Sequence, residues 1–571
     1  MIKKTTKIKK KEETNINMRM SIVIAFLLLC FSVIVVRAFA IQVKGREFYS
    51  KQGDMRQIRE VDLDVPRGTI FDRNGEPLAI STPMVSIGIQ PAVLIDQISR
   101  IDQLSEALDL DSQKLKELVL NRKHKKFIYI KRRIPPYDAD TVKALNIKGV
   151  EFRNEFKRYY PAGEIISQLI GFTDADDVGK EGIENTYDKW LAGTAGRKQV
   201  MQDRFGHVIK DIKEVIAAEP GKDIDLSIDR RLQYIAYKTL KKAVYKHKAK
   251  KGAAIILDVT TGEILAMVSQ PSYNPNNKTD ESIAGMRNRA LQDIYEPGSV
   301  IKPFTVIAGM LSGEYDKNSI IDTSPGIFEV DGFPIHDARN YGKINLETIL
   351  TKSSNIGSAK IALSLSKNHL WDTLNLFGLG SSTNSGIMGE SSGHLPDHTK
   401  WSRSRQANIA YGYGLQVTTL QLASAYAAIA NDGRWRTPTF IKGFVNEDKA
   451  LIDPKIANTI NNMLINVVRE DNTGKQAVIE GYQIAGKTGT AKMAAKGGYS
   501  DNYIASFVGY APAKNPKLVV AISITDPAGE EYGGGAVAAP VFKDVMQNSL
   551  RILNISPEKT STTITELAHE N

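Results

Sequence analysis

Glu296-Pro297-Gly298-Ser299-Val300-Ile301-Lys302-Pro303 puts a hydroxyl and an amine three residues apart, hence on one face of a helix. An unprotonated lysine so placed can take the serine proton. The Ser-x-x-Lys pattern alone decides nothing, because it also occurs at Ser364 with Lys367 and at Ser556 with Lys559. Context separates the three. The first of these copies falls in an apolar-periodic helix and the second in a polar tail, so a plain solvated or core-facing pair explains both. Ser299 instead follows a Pro-Gly turn and precedes Pro303, whose missing N–H is tolerated in or near the first turn of a helix. The hydroxyl therefore lies near a helix N-terminus, where the positive end of the dipole favours an alkoxide.

Acyl chemistry needs a second polar group to relay protons. Ser-x-Asn recurs in the chain, at Ser272, Ser353, Ser382 and Ser500 among others. Residues two apart diverge on a helix, so a useful copy must lie in a turn beside one. Ser353-Ser354-Asn355 fits, either as a relay or merely as a cap, through Ser354 or Asn355, of a helix over residues 356–365. Lys487-Thr488-Gly489-Thr490 follows the strand-like residues 482–485 and suits an edge strand of a cleft, although by itself it could be a hairpin turn. There glycine permits close approach, lysine offers a cation to a carboxylate, and backbone N–H groups can form an oxyanion hole. The order is what separates this set from chance. Ser-x-Asn lies 54 residues after Ser299 and Lys-Thr-Gly a further 134 along, the series found in penicillin-recognising serine enzymes. The single cysteine, Cys30, excludes an intrachain disulfide and a thiolate metal site.

With 571 residues, 42% hydrophobic and 24% charged, the chain is long enough for two or three folded domains and is neither fibrous nor disordered. Its net charge of +11 is uneven, with +5 in residues 1–20. The rest reads as a weak, solvated basic surface and not as a nucleic-acid footprint. Residues 20–36 carry no charge and, with 38–43, suit a membrane-crossing helix, so the Lys-rich residues before them stay cytoplasmic and the remainder faces outside. Ala38-Phe39-Ala40 has the form of a signal-peptide cleavage site, but the apolar run is longer than such peptides use.

The spacing predicts an amphipathic helix over 102–120, short strands over 59–65 and 127–130, and a hairpin turn at Asp72-Arg73-Asn74-Gly75 with positive φ at both central positions. From Asp223 the texture changes. Strands are expected over 224–228, 253–259, 262–268, 507–511 and 518–525, separated by helices over 231–244, 303–311, 359–365, 420–430 and 541–553. Hairpin-joined strands with helices in blocks favour an α+β class, an antiparallel sheet covered by helices.

On these motifs the sequence resembles the class B penicillin-binding proteins, monofunctional peptidoglycan D,D-transpeptidases, and within them the septal FtsI-like branch. Further stretches carry the likeness: Pro66-Arg67-Gly68-Thr69-Ile70-Phe71-Asp72-Arg73-Asn74-Gly75, Arg158-Tyr159-Tyr160-Pro161-Ala162-Gly163, Gly182-Ile183-Glu184, and 532–542. The resemblance implies a penicillin-binding transpeptidase fold on an elongated α/β-mixed pedestal, with one transmembrane helix. It divides the chain into a cytoplasmic tail 1–19, an anchor 20–43, a pedestal 44–222, a transpeptidase domain 223–555 and a flexible tail 556–571. It makes Ser299 the nucleophile, Lys302 its base, Ser353 the relay and Asn355 the holder of the peptide amide. Lys487 with Thr488, Gly489 and Thr490 would hold the substrate carboxylate, and the N–H groups of Ser299 and Thr490 would form the oxyanion hole. The implied substrates are peptidoglycan stem peptides ending in D-Ala-D-Ala, with an amine acceptor and β-lactams as inhibitors. No metal or organic cofactor is expected. The implied partners are an FtsW-like SEDS glycosyltransferase and other divisome proteins, and the implied place is the inner membrane at the division septum, with the catalytic domain periplasmic. The absence of a PASTA-like extension leans toward a Gram-negative owner.

Four other readings compete. A serine β-lactamase shares the motifs but would need a Glu-x-x-Leu-Asn water activator, which does not follow Ser353. A D,D-carboxypeptidase differs only in passing the acyl group to water. A β-lactam-sensing receptor would need a cytoplasmic signalling domain, for which about nineteen residues leave no room. A divisome scaffold with a dead site is opposed by the intact nucleophile, base and Lys-Thr-Gly.

Overall fold

The computed structural model describes residues 2–202, 208–279, 283–444, 448–495 and 497–558. Lys559 and the rest of the expected tail lie outside them. The chain forms two compact units, Met1–Val65 with Thr194–Glu219, and Pro66–Gly193 with Pro220–Asn571. These do not follow the expected boundaries, since residues 44–222 are divided between the two.

The first unit begins with the helix Ile2–Phe39, which passes through a π-helical turn, Ala40–Lys44, to the helix Arg46–Gln57. Asn15–Val43 is long and apolar enough to cross a bilayer. Large apolar side chains along it, among them Leu27 and Phe31, are exposed, as a lipid-facing surface requires. Beyond it, the strands Ile58–Leu63, Gly196–Gln202 and Val208–Ile216 pair as an antiparallel sheet with Gly196–Gln202 in the middle.

In the second unit the long strand Pro77–Ile89 pairs antiparallel with both Ile128–Ile134 and Val150–Tyr159. The single helix expected over 102–120 is two, Ile101–Leu108 and Ser112–Asn121. Asp109 is left-handed (φ 52°) and ends the first, and the carboxylate of Asp111 caps the second by accepting from Lys114 N at 3.1 Å. The turn at Asp72–Gly75 also departs from expectation. Positive φ occurs at Gly75 (84°) and not at Asn74, because the Asp72 carboxylate accepts from the backbone N–H groups of Asn74 and Glu76 and holds a longer, bulged turn.

The strand expected at 224–228 is only Ile224–Asp225, and it pairs parallel with Ile70–Phe71 instead of joining the other strands expected after Asp223. The reason is packing: Ile70, Leu78, Leu169, Ile183 and Ile224 share one buried cluster with Ile255, Phe304 and Tyr426. A buried ion cluster stitches the same region. Glu184 is fully buried and accepts from Arg67 at 2.7 Å and Arg158 at 2.6 Å, drawing the 66–75 and 158–163 segments onto its short helix.

The part that carries the three motifs is built on five strands: β1 (Lys251–Asp258), β2 (Ile264–Gln270), β3 (Ala485–Ala495), β4 (Gly498–Ala511) and β5 (Leu518–Thr525). They pair antiparallel throughout in the order β2-β1-β5-β4-β3, which leaves β3 at an edge. The helices that position the site are α1 (Arg230–Lys246), α2 (Lys302–Leu311), α3 (Asn355–Ser364), α4 (Thr419–Ala430) and α5 (Gly534–Ile552). Alternate residues face opposite ways along a strand, so Ala254 and Ile256 of β1 pack with α1 and α5, whereas Ile255 and Leu257 pack with α4 and α2. Burial on both faces explains why β1 reads as an unbroken apolar run. Residues 556–558, part of the stretch expected as a flexible tail, are held: Glu558 N donates to the Gly481 carbonyl and Glu558 Oε2 accepts from Gln483 N, at the approach of β3.

Glu184→Ala leaves the buried Arg158 guanidinium without its carboxylate and Arg67 with Asp188 alone, at 2.8 Å. The expected cost is about 3–5 kcal/mol, read as a lowered thermal midpoint of the full-length chain; an unchanged midpoint would remove the cluster from the account of stability.

Candidate active site

Ser299 lies in the 3₁₀ turn Gly298–Ile301, one turn before Lys302 opens α2, with Pro303 in the first turn as the sequence requires. Ser299 is half-buried, while Lys302 is completely buried. The turn is clamped from several sides. Fully buried Tyr426, on α4, donates to the Val300 carbonyl at 2.8 Å, and Gly298 N donates to the Gly412 carbonyl at 3.1 Å. Gly412 has φ 93°, and a Cβ there would lie 2.0 Å from the Gly298 carbonyl oxygen, so only glycine fits. On the other side β3 runs past the turn, and a Cβ on Gly489 would lie 2.8 Å from the Pro297 carbonyl oxygen. Close approach is thus the role of glycine in Lys-Thr-Gly.

The second motif enters just before α3. Ser354 is the cap, with Oγ accepting from Gly357 N at 2.9 Å, which frees Ser353 and Asn355 for other work. Ser353 has φ 59°, a left-handed conformation that costs a residue with a Cβ about 1–3 kcal/mol. In return its hydroxyl meets both lysines. Lys302 Nζ donates to Ser353 Oγ at 3.1 Å, to the Ser353 carbonyl and to Asn355 Oδ1 at 2.8 Å. Lys487 Nζ donates to the same Ser353 Oγ at 3.1 Å and to the Thr488 carbonyl at 3.2 Å. Three distant segments therefore converge, as the spacing predicts.

Burial of these two amines sets their chemistry. Lys302 is pushed well below the ordinary lysine pKa, first by desolvation and then by the nearby Lys487 cation, with Asp337 opposing. Lys487 is lowered to about 7 by desolvation. A neutral amine has two N–H donors and one lone pair. Lys302 has three acceptors around it, so in the neutral form it must turn its lone pair toward a hydroxyl. The site can thus accept a proton from a serine and pass it through Ser353 Oγ.

Comparison with known proteins follows this geometry. Residues 252–547 match the penicillin binding protein transpeptidase domain, and residues 62–226 match the penicillin-binding protein dimerisation domain. The chain belongs to the class B penicillin-binding proteins. It is 40% identical to the probable peptidoglycan D,D-transpeptidase PbpC of Pseudomonas aeruginosa, over 95% of this chain and 96% of that one. Its identity to the peptidoglycan D,D-transpeptidase FtsI of Escherichia coli K12 is 39%, over 98% and 96%. Among solved structures, penicillin binding protein 3 of Mycobacterium tuberculosis with aztreonam superposes with a TM-score of 0.68 at 26% identity, covering 87% of this chain and 98% of that one.

In this penicillin-binding protein two site residues stand differently from the reading by resemblance. Lys487 is fully buried with its Nζ on the Ser353 hydroxyl, so it faces the relay and not an open carboxylate seat. Asn355 Oδ1 accepts from Lys302 Nζ and Asn355 Nδ2 donates to the His336 carbonyl at 3.0 Å, so both ends of its amide are engaged within the protein. Thr488 and Thr490 alternate to the other side of β3 from Lys487; Thr490 Oγ1 accepts from Gly534 N at 2.9 Å, at the start of α5. The other Ser-x-x-Lys copy within the described residues is structural: Ser364 ends α3 bonded to Tyr315, and Lys367 reaches the Trp401 carbonyl.

Asp337 escaped the sequence reading. It accepts from Ser354 Oγ and Asn355 N at 2.6 Å each and from Ile356 N at 3.1 Å, and so fixes the start of α3 that presents Ser353 and Asn355. No periodic or motif signal marks it. The Tyr411-Gly412-Tyr413-Gly414 loop was also missed, although its repeat was visible.

A lysine held at about 7 when folded and 10.5 when free binds fewer protons in the native state between those values. Stability from Lys487 therefore rises with pH from about 7 to about 10 and is flat below. The thermal midpoint of the wild type should climb across that window relative to Lys487→Met; parallel curves would mean that Lys487 keeps an ordinary pKa.

Proposed function

We propose that this chain is a peptidoglycan D,D-transpeptidase that crosslinks stem peptides through an acyl-serine at Ser299. The observation that carries the reading is the buried, readily neutral Lys302, one turn from Ser299 and sharing the Ser353 hydroxyl with Lys487. Ser299 Oγ attacks the penultimate D-alanyl carbonyl while its proton passes to Lys302. The N–H groups of Ser299 and Thr490 receive the oxyanion. The C–N bond then breaks, and Ser353 hands the proton to the departing D-alanine amine. An amine of a second stem peptide attacks the acyl-enzyme and returns a proton by the same route. Thr488 and Thr490 hold the terminal carboxylate, with the charge of Lys487 behind them. β-Lactams, mimics of the D-Ala-D-Ala end, acylate the same serine, a reading supported by the relative solved with aztreonam.

The 39% identity to FtsI over nearly the whole chain supports work at the division septum, on a single inner-membrane anchor with the catalytic domain periplasmic. In that setting an FtsW-like SEDS glycosyltransferase supplies the glycan strands and other divisome proteins place the enzyme.

Ser299→Ala should abolish covalent labelling by a fluorescent penicillin while the protein remains folded and in the membrane; label transferred to Ser364 would overturn the assignment. Lys302→Met should slow acylation by about 10²–10⁴-fold. With its polymerase and lipid-linked precursor, the wild type should form crosslinked dimers. Release of D-alanine without dimers would make it a carboxypeptidase.

A further inference from the structure

From Arg230 to Lys251 the chain carries nine lysines and arginines and no aspartate or glutamate. With the +5 of the leader, this segment more than accounts for the net +11. The positive charge beyond the leader is therefore not spread thinly, as the sequence average suggests, but gathered on α1 and the turn after it. Some of these cations are spoken for: Lys241 pairs with Glu164, Lys250 with Asp526, and Lys251 with Asp293. Lys238, Lys242, Lys246 and Lys248 are exposed and have no carboxylate in reach among the described residues.

The outward stripe of α1 is also aromatic at both ends. Tyr234, Lys238, Lys241, Lys242 and Tyr245 follow the spacing of one helix face and line an open groove. Tyr234 is 46% exposed and Tyr245 is 88% exposed. Eleven residues of helix separate the two rings by about 16 Å. The opposite side of the helix, with Leu232, Ala236, Leu240 and Ala243, is spent on the sheet and on α5.

We propose that this face is a docking surface for a peptidoglycan strand, apart from the catalytic cleft. The inference rests on the transpeptidase reading for its choice of polyanion. Such a strand offers sugar rings with flat C–H faces, suited to tyrosine rings, and stem-peptide carboxylates at intervals, suited to unpaired lysines. An anionic bilayer fits less well, because a helix that lies on lipid needs a free apolar face and that of α1 is covered. The surface lies on the sheet face covered by α1 and α5, whereas α2, which follows the Ser299 turn, packs with α4 on the other. A strand held there is not the one being acylated. It tethers the enzyme to the polymer and raises the local concentration of further stem peptides.

The test is co-sedimentation of the full-length chain, in detergent micelles, with purified peptidoglycan sacculi. Wild type should pellet at low salt and be released at about 0.5 M salt. Lys238→Glu/Lys242→Glu/Lys246→Glu should lower binding by about tenfold or more, and Tyr234→Ala/Tyr245→Ala should lower it several-fold at unchanged salt dependence. Sacculi with amidated carboxylates should bind no better than the triple variant does to untreated ones. Penicillin labelling of Ser299 should persist in every one of these variants, showing that the fold and the cleft are intact. Sedimentation of the triple variant at the wild-type level would overturn the proposal. So would equal binding to amidated sacculi, or binding to phosphatidylglycerol vesicles that the triple change removes while sacculus binding stays. Ser299→Ala should sediment as wild type; a wild-type chain that pellets normally yet takes no penicillin label counts against the transpeptidase reading alone.

Discussion

A single hydroxyl shared by two buried amines organises the catalytic half of this protein. Ser353 Oγ lies 3.1 Å from Lys302 Nζ and 3.1 Å from Lys487 Nζ, in a place where neither amine is exposed. Two adjacent ammonium charges in a dry site repel each other and lose their hydration, so the arrangement favours the loss of a proton. The base required for serine chemistry is thereby created by the fold and not by the lysine alone. Much else follows as support for this geometry: the left-handed backbone of Ser353, the Asp337 carboxylate at the head of α3, and the passage of β3 beside Pro297.

That support comes from elements far apart in the chain. β3 is fixed by pairing with β4, α3 by its cap and by Asp337, and the nucleophile turn by α4 and the 411–414 loop. Each is anchored in a core that continues into the 66–193 region, where the Arg67–Glu184–Arg158 cluster is buried. The catalytic sheet and the segment that precedes it are one packed body.

The residues that carry the chemistry were legible because their types and spacing are restrictive. Lys302, Ser353, Asn355 and Lys487 meet as the motif spacing suggested, with Ser299 in the turn just before Lys302, and the main strands and helices of this part lie close to their expected positions. What stayed hidden was set by contacts with no local signature. Asp337 is one aspartate among many until α3 comes to rest on it. Ile224 looks like the start of a catalytic strand, yet its burial beside Ile70 sends it to the other sheet. The break at Asp109 was readable in retrospect, since two aspartates flank Leu110, but apolar periodicity on either side concealed it. The basic face of α1 was lost in averaging, because net charge says nothing about where cations gather.

The position of β3 at the margin of the sheet has a consequence for molecular mimicry. An edge strand presents amide hydrogens and carbonyls with no neighbour, and an extended guest can continue that ladder by main-chain contacts. Recognition of this kind reads the outline of an amide next to an acid group and is nearly blind to what hangs from either side. Compounds of quite different decoration can satisfy such a ladder equally well, so discrimination among them has to come from the walls around the strand and not from the strand itself.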